Sequence, residues 1–195
     1  AGVEYISHGA FAPTLYQDSP DPWYMAKNCF PQKLGAFALT EARRAHRYSD
    51  GAEILVPAVR IVENGAVRML VEAEFVWGRS RLVQTFCLPK AGTSFEIMQD
   101  IFWNEADTML KLEIPAAFKG DYLGQGMFGS GSLPQDGTEC VSQKWCGLFG
   151  EKHALTICNS GIYGSHCVGS TISLSLLRAS AYAAHPIGAR PLVQE

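Results

Sequence analysis

Residues 154–188 read A-L-T-I-C-N-S-G-I-Y-G-S-H-C-V-G-S-T-I-S-L-S-L-L-R-A-S-A-Y-A-A-H-P-I-G. The grammar is strand, turn, strand. Residues 154–158 are a short apolar run, broken by Asn159-Ser160-Gly161, residues that tolerate φ > 0 or bond their own backbone. Gly164 and Gly169 punctuate a longer reversal. Residues 171–178 then alternate. Ile172, Leu174 and Leu176 face one way together with Arg178, and Thr171, Ser173 and Ser175 face the other. A period of two marks a half-buried strand. Its apolar face ends in a cation, and a buried cation has to find a carboxylate, several carbonyls or a cleft.

The same period governs the chain upstream. Residues 55–62 form a candidate strand in which Pro57 argues for an edge or a bulge. Asn64-Gly65 is a hairpin signal. Val67, Met69, Val71, Ala73, Phe75 and Trp77 alternate with Arg68, Glu72 and Glu74, giving a long strand with one buried face that Gly78 turns. Residues 81–88 return, and Phe95, Ile97, Ile101 and Trp103 mark the next strand. Leu110, Leu112 and Ile114 alternate with Lys111 and Glu113 and stop at Pro115. By pattern this is an antiparallel meander. Residues 120–137 are glycine-rich and form a long loop or irregular hairpin, and residues 141–149 resume strand around Trp145. Residues 1–50 are an irregular lead-in with four prolines, in which Thr40 caps a short helical turn over residues 40–45. The fold expected is all-β: a large antiparallel two-sheet sandwich, supersandwich-like, with few short helices, occupying residues 1–195 as a single domain.

Composition narrows the function classes. The chain has 195 residues, 47% of them hydrophobic and 18% charged, with a net charge of −3. A real core is affordable at that size. No basic stripe or arm points to nucleic acid, and no apolar run is long enough to span a bilayer. The six cysteines, Cys29, Cys87, Cys140, Cys146, Cys158 and Cys167, include no C-x-x-C pair. Free, mostly buried thiols in a reducing compartment are the expectation.

Chemical candidates are few. Glu72 and Glu74 share a strand face, roughly 6.5–7 Å apart at the backbone. A glycosidase pair needs carboxyls about 5–5.5 Å or about 6.5–9.5 Å apart on opposite sides of a sugar. Neighbours on one flat face flank nothing, so a solvated strand face is the reading. Glu105 and Asp107 suit a turn. His153, Cys158, His166 and Cys167 lack the short ligand spacings of a structural zinc site, and His185 before Pro186 reads as a loop residue. No nucleophile elbow, phosphate loop or H-E-x-x-H occurs. The residues alone give no catalytic group and no metal site.

A resemblance adds to this. N-S-G-I-Y-G at residues 159–164, L-S-L-L-R at 174–178 and H-P-I-G at 185–188 resemble the C-terminal β-domain of glycoside hydrolase family 38, the α-mannosidases, in its bacterial and cytosolic-type branch. D-P-W at 21–23, V-E-N-G-A-V-R at 62–68, R-S-R at 79–81, L-P-K at 88–90, W-N-E-A-D-T-M-L-K-L at 103–112, D-G-T-E at 136–139 and Q-K-W at 143–145 follow the family order. The ordered set covers roughly residues 20–190 and is specific, where any one element alone is weak. The resemblance implies a fragment of a longer multidomain exo-acting α-mannosidase that hydrolyses terminal α-mannosides. Its catalytic residues and its zinc ion would sit in an N-terminal domain whose motifs are not in this sequence. It implies as partners the N-terminal catalytic and helical domains of the same chain and an α-mannoside substrate. Composition and the thiols set the remaining expectations: a cytoplasmic location, with neither nucleic acid nor membrane as partner and homo-oligomerisation left open. By itself this fragment is then inactive and helps to shape the catalytic cleft. Arg178 is the implied sugar or cleft contact. Asn159, Ser160 and Tyr163 are implied to lie near the substrate, with Ser160 where relatives often carry Asp. Two rival readings are the same fold in a related hydrolase, such as a mannosylglycerate hydrolase, and a stand-alone carbohydrate-binding module using Tyr24, Trp77 and Tyr122 as aromatic platforms.

Overall fold

The computed structural model describes residues 2–18, 28–47 and 49–179. Among them every regular element is a strand. In chain order these are β1 (Ala12–Gln17), β2 (Lys33–Ala36), β3 (Ala38–Leu39), β4 (Arg43–His46), β5 (Glu53–Val56) and β6 (Val59–Asn64). Next come β7 (Arg68–Trp77), β8 (Ser80–Pro89), β9 (Glu96–Phe102), β10 (Thr108–Pro115), β11 (Asp121–Gln125) and β12 (Ser130–Ser132). The last are β13 (Cys140–Val141), β14 (Trp145–Phe149), β15 (Ala154–Cys158), β16 (Gly164–Val168) and β17 (Thr171–Ala179). The chain is all-β, as its alternation implies. It falls into two compact units, Ala1–Ala36 with Ala106–Glu195, and Phe37–Glu105.

The first unit is an antiparallel sandwich. One sheet has the order β13-β16-β17-β10-β1-β2 and the other β12-β11-β14-β15. Leu112 and Ile114 of β10, Cys167 of β16, and Ile172 and Leu174 of β17 form one side of its core. Tyr122 of β11 and Cys146 and Leu148 of β14 belong to the same buried cluster. Side chains two apart along a strand share a face, so the L-x-L-x-I and I-x-L patterns are what put these residues there. A buried bond between the Tyr122 hydroxyl and Ser165 Oγ, 2.7 Å, ties the two sheets. Burial holds the Tyr122 phenol well above its ordinary range, so it stays neutral there. Gly147 lets β14 approach β15: a Cβ at this position would fall on the Leu155 carbonyl oxygen and 3.1 Å from the Thr156 Cα.

The second unit is built on β7. β8 pairs along its whole length, β9 pairs with β8, and β3 and β6 pair in tandem along its other edge. The hairpin signalled by Asn64-Gly65 joins β6 to β7, with the Gly65 N–H donating to the Arg68 carbonyl at 3.0 Å. Gly78 turns β7 into β8 with φ 53°. A side chain there would meet the Glu105 carboxylate at 2.8 Å, which accepts from the Arg79 N–H and Ser80 Oγ. Two local expectations fail here. Pro57 does not bend a single strand; it separates β5 from β6. The helical turn at residues 40–45 does not form. The Thr40 N–H donates to the Glu74 carbonyl instead, and residues 43–46 pair with β5 as a hairpin. A few residues of helix propensity are a weak prior against a full set of ladder bonds.

Candidate functional site

The site begins with a break in the alternation of β17. Lys111 faces Ser175 across the β10–β17 ladder, while Leu110 faces Leu177 and Met109 faces Arg178. The consecutive residues Lys111 and Leu110 thus face Ser175 and Leu177, and Leu176 between them is the extra residue of β17. A bulge of this kind inverts every later side chain. Strict alternation puts Arg178 on the apolar face with Leu174; the bulge puts it on the opposite face, with Lys111, Ser173 and Ser175. Asp18 follows Tyr16, which faces Met109, and so lies on that same face. The two meet as a fork, with Arg178 Nε 2.6 Å from Asp18 Oδ2 and Nη2 2.8 Å from Oδ1. The aspartate side chain is fully buried and that of the arginine is 23% exposed. A planar guanidinium held by a buried carboxylate is fixed in direction as well as charge.

The turn before β16 is held by Asn159. Its Nδ2 donates to the Gln143 carbonyl at 3.2 Å, its Oδ1 accepts from the Ile162 N–H at 2.9 Å, and its own N–H donates to Lys144 O. Ser160 is exposed, and so is Tyr163, whose ring carries Lys144 Nζ 5.9 Å from its centroid. Ser165 faces Leu174 in the antiparallel β16–β17 ladder. The residues leading into β16 therefore lie at the same end of the sheet as the C-terminal end of β17. All four residues singled out in the sequence share that end.

The sequence pattern missed the polar cluster beside them. Lys111 reads as a solvent-side residue of an alternating strand, yet it has no solvent exposure. Its Nζ lies 2.5 Å from Glu139 Oε2 and 2.7 Å from Ser175 Oγ, and Ser175 also donates to Glu139. The rings of Tyr16 and Phe30 each stand 5.8 Å from the ammonium. One strand step along, the Tyr16 hydroxyl donates to Glu113, which also pairs with Lys33 at 2.5 Å. His166 is 5% exposed, and its Nδ1 lies 3.5 Å from Glu139 Oε2 with no hydrogen-bond partner. Burial pushes the Lys111 ammonium below its ordinary value, with Glu139 opposing. Burial also acts to raise Glu139, but the His166 ring, Lys111 and Ser175 outweigh it and hold the carboxyl below the usual range. One signal was available in the sequence. Ser173 and Ser175 face Glu113 and Lys111, and residues that small leave room for a neighbour's charged end.

Other candidates resolve differently. Tyr122 is only 1% exposed and cannot present a sugar platform; Trp77 is half-buried; Tyr24 and His185 lie outside the described residues. The face of Glu72 and Glu74 is not a simple solvated one. Arg60 reaches Glu72 at 2.5 Å and Glu74 at 3.8 Å, Arg81 reaches Glu74 at 2.7 Å, and Glu74 is buried. Paired this way, those carboxylates are sheet cross-links. His166 and Cys167 are strand neighbours and point to opposite faces, and His153 packs its ring against Tyr5 and Phe118. Among the described residues no three His, Cys, Asp or Glu side chains are grouped to hold a metal ion. All six cysteines are free, with Cys146 and Cys167 buried, Cys158 exposed and the others half-buried.

The comparisons bear on the same strands. The model of a family described as "Glycosyl hydrolases family 38 C-terminal domain" matches residues 2–185. Among curated proteins none matches the chain.

Proposed function

The chain belongs to the glycosyl hydrolases family 38 C-terminal domains, and from that premise we propose that it is the non-catalytic β-domain of an exo-acting α-mannosidase that removes terminal α-mannosides. Its role in this reading is to complete the catalytic cleft against the N-terminal catalytic and helical domains of the same longer chain. The observation that carries the reading is the Arg178–Asp18 fork. It stands at the end of the strand that carries the family-like L-S-L-L-R, on the polar face. Several N–H donors fixed in one plane suit sugar hydroxyls or a carboxylate of the opposing domain. The Asn159–Tyr163 turn at the same sheet end adds exposed polar groups of the kind that line a sugar cleft.

The metal chemistry belongs elsewhere in this reading. The described residues offer no grouped ligand set, so no step is assigned here to the zinc ion that the resemblance implies for the N-terminal domain. Six free thiols support a reducing, cytoplasmic setting.

The experiment is a side-by-side assay of the 195-residue chain and the complete parent reading frame on aryl α-mannosides. The expected result is turnover by the complete chain alone, abolished by a chelator. Turnover by the 195-residue chain overturns its non-catalytic role. A complete chain that cleaves only other aryl glycosides, or only mannosylglycerate, overturns the stated substrate.

A further inference from the structure

Within the first unit, beside the Lys111–Glu139 cluster, lies a cavity of about 260 Å³. Its walls include Tyr16, Phe30, Lys33, Asp136, His166 and Val168. His166 is opposite Ser173, five residues before Arg178 along β17, or roughly 16 Å of strand. On its other side Tyr16 shares the cross-strand row of Met109 and Arg178, so the cavity reaches toward the Arg178–Asp18 fork.

Its chemistry is mixed in a particular way. Phe30, Pro31 and Val168 give an apolar wall. Lys33 and Asp136 contribute one charge of each sign, and each already has a partner: Lys33 pairs with Glu113, and Asp136 Oδ1 accepts from the Thr138 N–H at 2.9 Å. No net charge is left to select an anion or a cation. The buried His166 adds a ring whose Nδ1 is turned toward Glu139 and makes no hydrogen bond. One buried imidazole and two exposed charged side chains beside an apolar wall match a neutral ring with hydroxyls on its edge and C–H groups on its face. We propose that this cavity binds one neutral pyranose residue, with Phe30, Pro31 and Val168 against the C–H face and Lys33, Asp136 and His166 bonding the hydroxyls. The choice of a sugar over other small polyols rests on the glycosidase reading above; the size and polarity of the cavity do not.

The test is an amide-resolved NMR titration of the 195-residue chain with methyl α-mannoside, methyl α-glucoside and inorganic phosphate in separate arms. Saturable shifts at Cys29, Gly137 and Val168 with either glycoside support the site. Val168→Trp, which fills the cavity from its rim, should abolish them, while Val67→Trp in the second unit should leave them unchanged. Shifts with the glucoside but not the mannoside keep the cavity and count against the mannoside substrate, so the two readings fail separately. Shifts with phosphate alone, no saturable shift with either sugar, or shifts in a well-dispersed Val168→Trp spectrum each overturn the proposal. If Val168→Trp does not fold, the location of the shifts in the unmodified chain decides.

Discussion

The Glu139 carboxylate and the Lys111 ammonium, 2.5 Å apart, stand on the polar face of β10 with almost no contact with water. Desolvating two charges costs several kcal/mol per ion, and only close pairing with further hydrogen bonds offsets that cost. Ser175 supplies the further hydrogen bonds, and the two flanking rings and His166 stand around the pair.

Acid should therefore weaken the fold through this cluster. The folded-state carboxyl of Glu139 is held below its unfolded value of about 4.3. A depressed carboxylate contributes stability that is fully present above the unfolded value and is lost as pH falls through the folded one. Urea midpoints should drop along that limb in the unmodified chain. In Glu139→Gln the limb should flatten, and stability at neutral pH should fall by about 3 kcal/mol because Lys111 is left buried without its counter-charge. An unchanged acid limb would show that other carboxylates govern it.

Arg178 separates a cleft role from a structural one. Asp18→Asn should cost about 3 kcal/mol, the lower end for a buried pair because the guanidinium keeps some water. Arg178→Lys in the complete enzyme should retain the fold and lose kcat/KM, since a point charge does not reproduce the planar fork. A variant that melts early while its folded fraction keeps full specific activity makes Arg178 an ion-pair residue and nothing more.

Two glycines should respond to very different extents. Gly147→Ala drives a methyl group into the β15 backbone at Leu155 and Thr156, and should destabilise by about 2 kcal/mol or more. At Gly131 in β12 a Cβ meets nothing within 4 Å, so Gly131→Ala should stay within about 0.5 kcal/mol of the parent. Thermal or urea unfolding of the pair reads this directly.

Thiol labelling should follow burial. Burial pushes the Cys167 thiol up to about 11 and raises Cys140 and Cys146 as well. The thiolate is the reacting species. Cys158, exposed at the end of β15, should therefore label first, and Cys167 only at the rate of global unfolding. Rapid labelling of Cys167 in the folded chain would reveal local opening between β16 and β17.

What the sequence disclosed and what it hid follow from range. The long strand over residues 68–77, the Asn64-Gly65 turn and the Leu112/Ile114 and Ile172/Leu174 rows are local, and all are realised, although Val67 is exposed outside the strand and Glu74 is buried on the face read as solvated. The site depends on non-local pairing. Asp18 and Arg178 are 160 residues apart, and Lys111 and Glu139 are 28 apart. Nothing near Lys111 in the chain says that its solvent-side face is covered. Nor does L-S-L-L-R say which leucine is the extra one. That is fixed by the partner strand.

The bulge at Leu176 acts as a change of phase. Before it, β17 gives hydrocarbon to the sandwich core and small hydroxyls to the charged layer. After it, the assignment is exchanged, and the same strand delivers a guanidinium to Asp18. Removing that single leucine would leave every remaining residue type in place and restore perfect alternation. It would leave Leu177 facing Leu110 and Arg178 facing Met109, so the guanidinium would stay on the face of Asp18. What matters between Ser175 and Arg178 is thus the phase, which the chain obtains by leaving Leu176 out of the ladder. Deleting Leu176 should therefore keep the Arg178–Asp18 pair, whereas pairing Leu176 directly with Leu110 would turn Arg178 to the apolar face.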